Sequence, residues 1–192
     1  MPQKGWALDL GKCTGCESCT VACKAELNTF PQQSPLTLKN NAYESPKHVS
    51  YRWVVSRNSG AYPDPSVTFV TSSCNHCQNP ACMAACPVDA ITKRQTDGIV
   101  LIDQEKCIGC KYCMWACPYG APQYNESTQK VEKCTFCVHR QEQGLKPACV
   151  TTCTGRALNL VEEFDATASG SNRPDGFADP SHTVPSIGFT KK

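Results

Sequence analysis

Cys107-Ile108-Gly109-Cys110-Lys111-Tyr112-Cys113-Met114-Trp115-Ala116-Cys117-Pro118 puts four thiols into eleven residues, spaced C-x2-C-x2-C-x3-C and followed by proline. The first three lie on one tight loop, where Gly109 lets the backbone come close and neighbouring N–H groups can point at sulfur. The fourth lies about one helical turn further on, so it faces elsewhere. Pro118 then stops the turn, because proline cannot continue a helix's hydrogen bonding. A loop with a thiol at every third position can wrap one compact inorganic cube.

The pattern recurs. All 16 cysteines of the 192-residue chain fall into four groups of four. The first is Cys13, Cys16, Cys19 and Cys23, with the same spacing but Lys24 in place of proline. In the second, Cys74, Cys77, Cys82 and Cys86, the middle gap widens to four residues and Pro87 follows. In the fourth, Cys134, Cys137, Cys149 and Cys153, the gap is eleven residues and Thr154 follows. Every group opens with C-x2-C and closes with x3-C, which is an internal repeat of a metal motif rather than a scatter of thiols.

Composition agrees that something other than carbon holds this chain together. Cysteine is about 8% of residues, a class signal in itself. Apolar residues are 40% of the chain, but the 16 cysteines are counted among them, and 12 Gly and 14 Pro suit a loop-rich fold. The formal charge of +2 makes no electrostatic case for nucleic acid. The longest uncharged stretch, Pro65 to Val88, is rich in Ser, Thr, Asn and Cys and is no membrane span. Met1-Pro2-Gln3-Lys4-Gly5-Trp6 has neither an apolar signal core nor twin arginines. Any export is therefore expected to depend on a partner that carries the signal.

Four chemistries compete for such quartets. Structural zinc wants two separated C-x2-C pairs, which fits the fourth group alone. A disulfide framework fails because thiols on one C-x2-C-x2-C loop cannot all pair with one another. Catalytic C-x2-C redox chemistry would need one pair, not four quartets. Iron–sulfur clusters account for all four groups. In the bacterial ferredoxin run C-x2-C-x2-C-x3-C-P, the fourth Cys ligates the other cluster of a pair. Applied here, groups two and three form one unit: Cys74, Cys77, Cys82 and Cys117 on one cluster, Cys107, Cys110, Cys113 and Cys86 on the other. Groups one and four form the second unit: Cys13, Cys16, Cys19 and Cys153, then Cys134, Cys137, Cys149 and Cys23. Spacing alone also allows one to pair with two and three with four.

The fold class expected is α+β and loop-rich, with two bacterial-ferredoxin-like two-cluster units (βαβ-type repeats) in one chain. Residues 1–27 with 126–165 form one unit and 66–125 the other. Residues 28–65 are an inserted loop and hairpin, and 166–192 an extended C-terminal tail of the kind that often lies on a partner. Trp6–Leu10, Ile99–Asp103 and Ala157–Val161 read as strands. Val49, Tyr51, Trp53 and Val55 alternate, as do Val67 and Phe69, around a turn at Asn58-Ser59-Gly60. Asn28–Lys47, with Pro31, Pro35 and Pro46, reads as a long loop. Trp115 and Tyr112 are read as packing over a cluster, and His76 as a hydrogen-bonded packing or surface residue. Lys24, Lys111 and Lys133 either offset cluster charge or are simply solvated. If each cluster site carries about −2, the loaded chain is near −6 rather than +2. No carboxylate pair, Ser–His–Asp set or phosphate loop is visible, so the chain reads as non-catalytic.

Cys74-Asn75-His76-Cys77, Pro80-Ala81-Cys82, Cys86-Pro87, Lys93-Arg94 and the run from Cys107 to Asn125, with Lys12-Cys13-Thr14-Gly15-Cys16 and Lys146-Pro147-Ala148-Cys149, resemble the iron–sulfur electron-transfer subunit of the dimethyl sulfoxide reductase family of molybdopterin oxidoreductases. The resemblance spans residues 5 to 161. It implies four [4Fe–4S] clusters in a row and a large catalytic partner with a molybdenum or tungsten bis-pterin. It also implies an integral membrane anchor that binds quinol. The expected place is peripheral to the cytoplasmic membrane, on the periplasmic face by co-export with the catalytic subunit, with the cytoplasmic face as the other option. The alternatives are a zinc-stapled interaction module and a freestanding polyferredoxin.

Overall fold

A computed structural model describes residues 2–29 and 49–190. Most of the expected loop at Asn28–Lys47 lies outside them. Short elements alternate with long irregular connections. They are β1 (Gly5–Asp9), α1 (Ser18–Leu27), β2 (Arg52–Ser59), β3 (Ser66–Ser73), α2 (Ala81–Ala84), β4 (Ile91–Lys93), β5 (Val100–Ile102), α3 (Tyr112–Ala116), β6 (Gln123–Asn125), β7 (Lys130–Glu132), α4 (Val138–Gln141), α5 (Ala148–Thr151), β8 (Leu158–Val161) and β9 (Ile187–Thr190). A 3-10 turn at Ala166–Ala168 precedes β9. This is a loop-rich α+β architecture.

β1 lies between β8 and β9 in a three-stranded sheet. It runs antiparallel to β8, with Trp6 opposite Leu160, and parallel to β9, with Trp6 opposite Ile187. Trp6, Leu8, Leu158, Ile187 and Phe189 are all buried there. α1 packs on α5, and α2 packs on α3. The second region rests on a small core of Ile91, Val100 and Val131 with Cys82 and Cys113. Two small antiparallel hairpins, β4–β5 and β6–β7, complete it.

β2 and β3 pair over eight residues, from Arg52↔Ser73 to Ser59↔Ser66. The turn lies at residues 60–65, later than the Asn58–Gly60 turn expected, because both strands continue to Ser59 and Ser66. The inner end is buried and the outer end exposed.

The C-terminal stretch differs from the expected extended tail on a partner. It folds back onto the chain itself. Gln78 and Asn79 donate backbone N–H groups to Val184 and Thr183, and Ser186 N–H donates to Asn75 O. Ile187 and Phe189 then enter the core as β9. The reason is apolar alternation at the end of an otherwise polar segment, which gives one strand a buried face.

A column of rings crosses the centre. The Arg52 guanidinium lies 4.6 Å from the Trp6 ring. Trp6 stacks on Phe136 at 3.9 Å, and Phe136 meets His76 edge-on at 4.9 Å. Trp6 Nε1–H donates to Cys74 O at 3.0 Å, tying β1 to the second cysteine group.

Candidate metal centre

Each cysteine group opens on the same backbone device. The residue just before the second cysteine has positive φ in all four groups: Gly15 at 71°, His76 at 42°, Gly109 at 70° and Phe136 at 60°. A left-handed residue there curls the loop so that successive N–H groups turn inward, the concave arrangement that suits an anionic centre. Glycine at Gly15 and Gly109 is readable in sequence; His76 and Phe136 in the same role are not. A short helix follows and carries the last cysteine away. α3 ends at Cys117, which is extended before Pro118. Lys24 allows α1 to continue past Cys23 to Leu27.

The thiols meet across groups. Cys74, Cys77, Cys82 and Cys117 line one cavity. Cys13, Cys16, Cys19 and Cys153 line a second, and Cys86, Cys107, Cys110 and Cys113 a third. Cys23 lies beside Cys149 and Cys137, and burial together with these neighbours pushes its thiol up to about 12. Cys134 is pushed up by burial and by Cys23 and Cys149. The last cysteine of each group therefore sits with the first three of another group.

Sulfurs of different sets also lie within electrostatic reach of one another: Cys19 of Cys23, Cys134 of Cys74 and Cys82 of Cys113. Cys19, Cys23, Cys74 and Cys134 share one core, and Cys82 and Cys113 the other.

These surroundings fit a thiolate-bound cluster. Backbone N–H groups donate to sulfur: Ala90 to Cys86 at 3.3 Å, Phe136 to Cys134 at 3.4 Å and Leu158 to Cys153 at 3.4 Å. The Oγ atoms of Ser18 and Thr154 each lie 3.4 Å from the exposed Cys16 Sγ. Those hydroxyls lower the Cys16 thiol to about 6. Burial raises Cys82 to about 12 and Cys113 to about 11, so these thiols need a strong electrophile to become thiolates. All 16 cysteines are free of disulfides. Among the described residues no three His, Cys, Asp or Glu side chains close on a point as around one ion.

Buried cations stand among the sulfurs. Arg52, 2% exposed, and Lys133, 3% exposed, are in no ion pair among the described residues. Lys133 Nζ donates to the carbonyls of Val100 and Cys134. Lys93 Nζ donates to Cys77 O at 3.0 Å and Gln78 O at 3.2 Å. Of the lysines singled out in sequence, Lys111 instead caps the Tyr124 ring at 3.8 Å and Lys24 donates to Val49 O at 3.1 Å. Sequence reading missed Arg52, because nothing near it in sequence is a ligand. His76 is fully buried; its Nδ1 accepts from Val100 N–H at 3.0 Å. Trp115 corrects an expectation. It is 77% exposed, near Tyr112 rather than packed inside.

Comparison with known proteins gives the same chemistry. The family described as "4Fe-4S dicluster domain" matches residues 65–163, and a second family of the same description matches 12–90. A sulfite dehydrogenase subunit of Allochromatium vinosum is 39% identical over 184 residues, covering 92% of this chain and 76% of its own length. A subunit of the anaerobic dimethyl sulfoxide reductase of Escherichia coli is 41% identical over 158 residues, covering 82% and 73%. A tetrathionate reductase subunit of Salmonella typhimurium is 44% identical over 150 residues, covering 78% of this chain and 54% of itself. Sixteen thiols grouped around four centres, dicluster matches across most of the chain and relatives of this identity lead to one conclusion: the protein belongs to the iron–sulfur subunits of the molybdopterin oxidoreductases, carries four [4Fe–4S] clusters and transfers electrons.

Proposed function

We propose that this chain relays electrons between a molybdopterin catalytic subunit and a membrane quinol-binding anchor, without catalysis of its own. The ligand sets are Cys13, Cys16, Cys19 and Cys153; Cys23, Cys134, Cys137 and Cys149; Cys74, Cys77, Cys82 and Cys117; and Cys86, Cys107, Cys110 and Cys113. The first two sets form one ferredoxin-like unit (1–27 with 126–165), and the last two form the other (66–125). Residues 28–65 are the insertion between them, and 166–190 the strap across both. The observation that carries this reading is that sulfurs of different sets lie close enough to interact, Cys19 with Cys23, Cys134 with Cys74 and Cys82 with Cys113, inside two small cores. A relay needs such closeness, because each hop must be short. When bound, each cluster supplies a one-electron site. The protein sets its potential through burial, hydrogen bonds to sulfur and nearby charge.

Around the Cys107 set, Ile108, Tyr112, Trp115 and Met83 are exposed apolar side chains. We assign this face to the anchor, because solvent-facing tryptophan and isoleucine beside a redox centre gain most from a partner that covers them. No helix among the described residues is long and apolar enough to cross a membrane. We place the chain peripherally, held by its partners, on the periplasmic face by co-export with the catalytic subunit, with the cytoplasmic face as the other option.

Anaerobic purification with whatever co-isolates tests this reading. About 16 iron and 16 acid-labile sulfide per chain are expected, in a complex with a large pterin-containing subunit. Zinc without sulfide would overturn the cluster assignment. A monomer of 20.9 kDa would overturn the subunit assignment.

A further inference from the structure

We propose that Arg52 and Thr71 set the redox potential of the cluster on Cys13, Cys16, Cys19 and Cys153, and that the Arg52 charge also raises the potential of the neighbouring cluster on Cys23, Cys134, Cys137 and Cys149. The proposal rests on the ligand sets assigned above.

The geometry starts from the hairpin register. Arg52 lies opposite Ser73, and Thr71 is two residues along β3 on the same face. Arg52 Nη1–H donates to Thr71 Oγ1 at 3.0 Å, and Nη2–H donates to Ser73 Oγ at 2.8 Å. Thr71 Oγ1 is in turn 3.3 Å from Cys19 Sγ. A guanidinium has only donors, so the Thr71 oxygen must accept from it. The Thr71 hydrogen is then directed to Cys19, whose sulfur has no proton to give once it is a ligand. Arg52 thus orients a hydroxyl onto a cluster sulfur.

Its charge has no conventional partner. Arg52 is buried, its Nε has no hydrogen-bond partner, and among the described residues no carboxylate pairs with it. An isolated buried cation is strongly unfavourable. Burial would weaken its protonation, but the sulfurs of Cys149, Cys134, Cys19 and Cys23 outweigh that and hold it charged more firmly than usual. The residues supplying its countercharge are therefore cluster ligands from two adjacent sets. Reduction adds one electron to a centre that is already anionic. A fixed cation and an O–H donor on sulfur both favour the reduced state and raise the potential.

The test is a redox titration, monitored by electron paramagnetic resonance, of the whole complex carrying R52Q, R52K, T71V or T71S. In R52Q two midpoints fall, each corresponding to at least a tenfold loss of the reduced form at a fixed potential, or about 59 mV for one electron. In T71V one of those two falls, by less, and in T71S it returns towards the parent value. R52K keeps the charge and leaves the second midpoint nearer the parent than R52Q does. Iron stays at about 16 per chain throughout. Four unchanged midpoints in fully loaded R52Q overturn the proposal. If R52Q does not load its clusters, identical midpoints in T71V and T71S overturn it instead. A parent complex short of iron would count against the ligand sets, and is read separately.

Discussion

Four residues with positive φ shape the cluster loops, and they do so by different means. Gly109 has no alternative. A Cβ there would lie 2.3 Å from the Gln129 carbonyl oxygen, on a backbone at φ +70°. Gly120 is also left-handed, yet a Cβ would meet nothing within 4 Å. G109A should therefore lose about 1–3 kcal/mol and part of its iron, while G120A loses only about 1 kcal/mol. Thermal unfolding of the two variants beside the parent checks this. At His76 and Phe136 the strain is held by packing, since each is fully buried and each touches the other. H76A would leave the Val100 N–H without its acceptor in a dry interior, a cost of about 1–3 kcal/mol. H76N, which keeps a short polar side chain, should lose less than H76A in the same unfolding measurement.

Among elements, the helices are too short to be stable alone, so their placement depends on ties between them. Glu26 on α1 accepts from His139 Nε2 at 2.9 Å and from Arg140 Nη1 at 2.8 Å on α4. These partners, His139 first, hold the Glu26 carboxyl below its ordinary range. A lowered folded pKa means the tie stabilises above the unfolded value of about 4.3 and is lost as pH falls through the folded one. The pair is partly solvated, so its worth is about 0.5–1 kcal/mol. E26Q should lose that amount at pH 7 and show a shallower fall in stability between about pH 5 and 3. Comparing unfolding midpoints of E26Q and parent across that range checks the sign. The β2–β3 hairpin is a tie of another kind. It carries Arg52 and Thr71 to the sulfurs of the first and fourth cysteine groups.

For the whole molecule, the C-terminal stretch acts as a strap. It adds β9 to the sheet and closes over the second cysteine group, with Ser186 Oγ–H donating to His76 O at 3.0 Å. Deleting residues 184–192 removes the buried side chains Ile187 and Phe189. That should lower stability by about 3–6 kcal/mol. Iron content is expected to fall with it, first at the set that includes Cys77, since the strap covers that loop. Thermal unfolding with iron analysis of the truncated complex measures both effects. Unchanged stability would mean that β9 is an ornament of the fold rather than part of its support.

The quartets themselves were legible because ligand spacing is a local property. C-x2-C-x2-C on a loop, with the fourth thiol one turn on, follows from bond lengths and helix pitch, as do the helix stops at Cys86-Pro87 and Cys117-Pro118. Strands at Trp6 and Leu158 were legible from their apolar patterns, as was the inserted hairpin. Three features were settled only by tertiary structure. One is the burial of Arg52 among sulfurs 29 to 97 residues away in sequence, counting from Cys23 and Cys149. Another is the use of His76 and Phe136 where glycine would be expected. The last is the return of Ile187–Thr190 to lie beside Trp6–Asp9. Each depends on contacts between distant segments, where burial and countercharge, not local spacing, decide which side chain is tolerated. Sequence by itself determined what this chain holds; the folded chain decided which groups stand beside the sulfurs, and so what governs the passage of an electron through them.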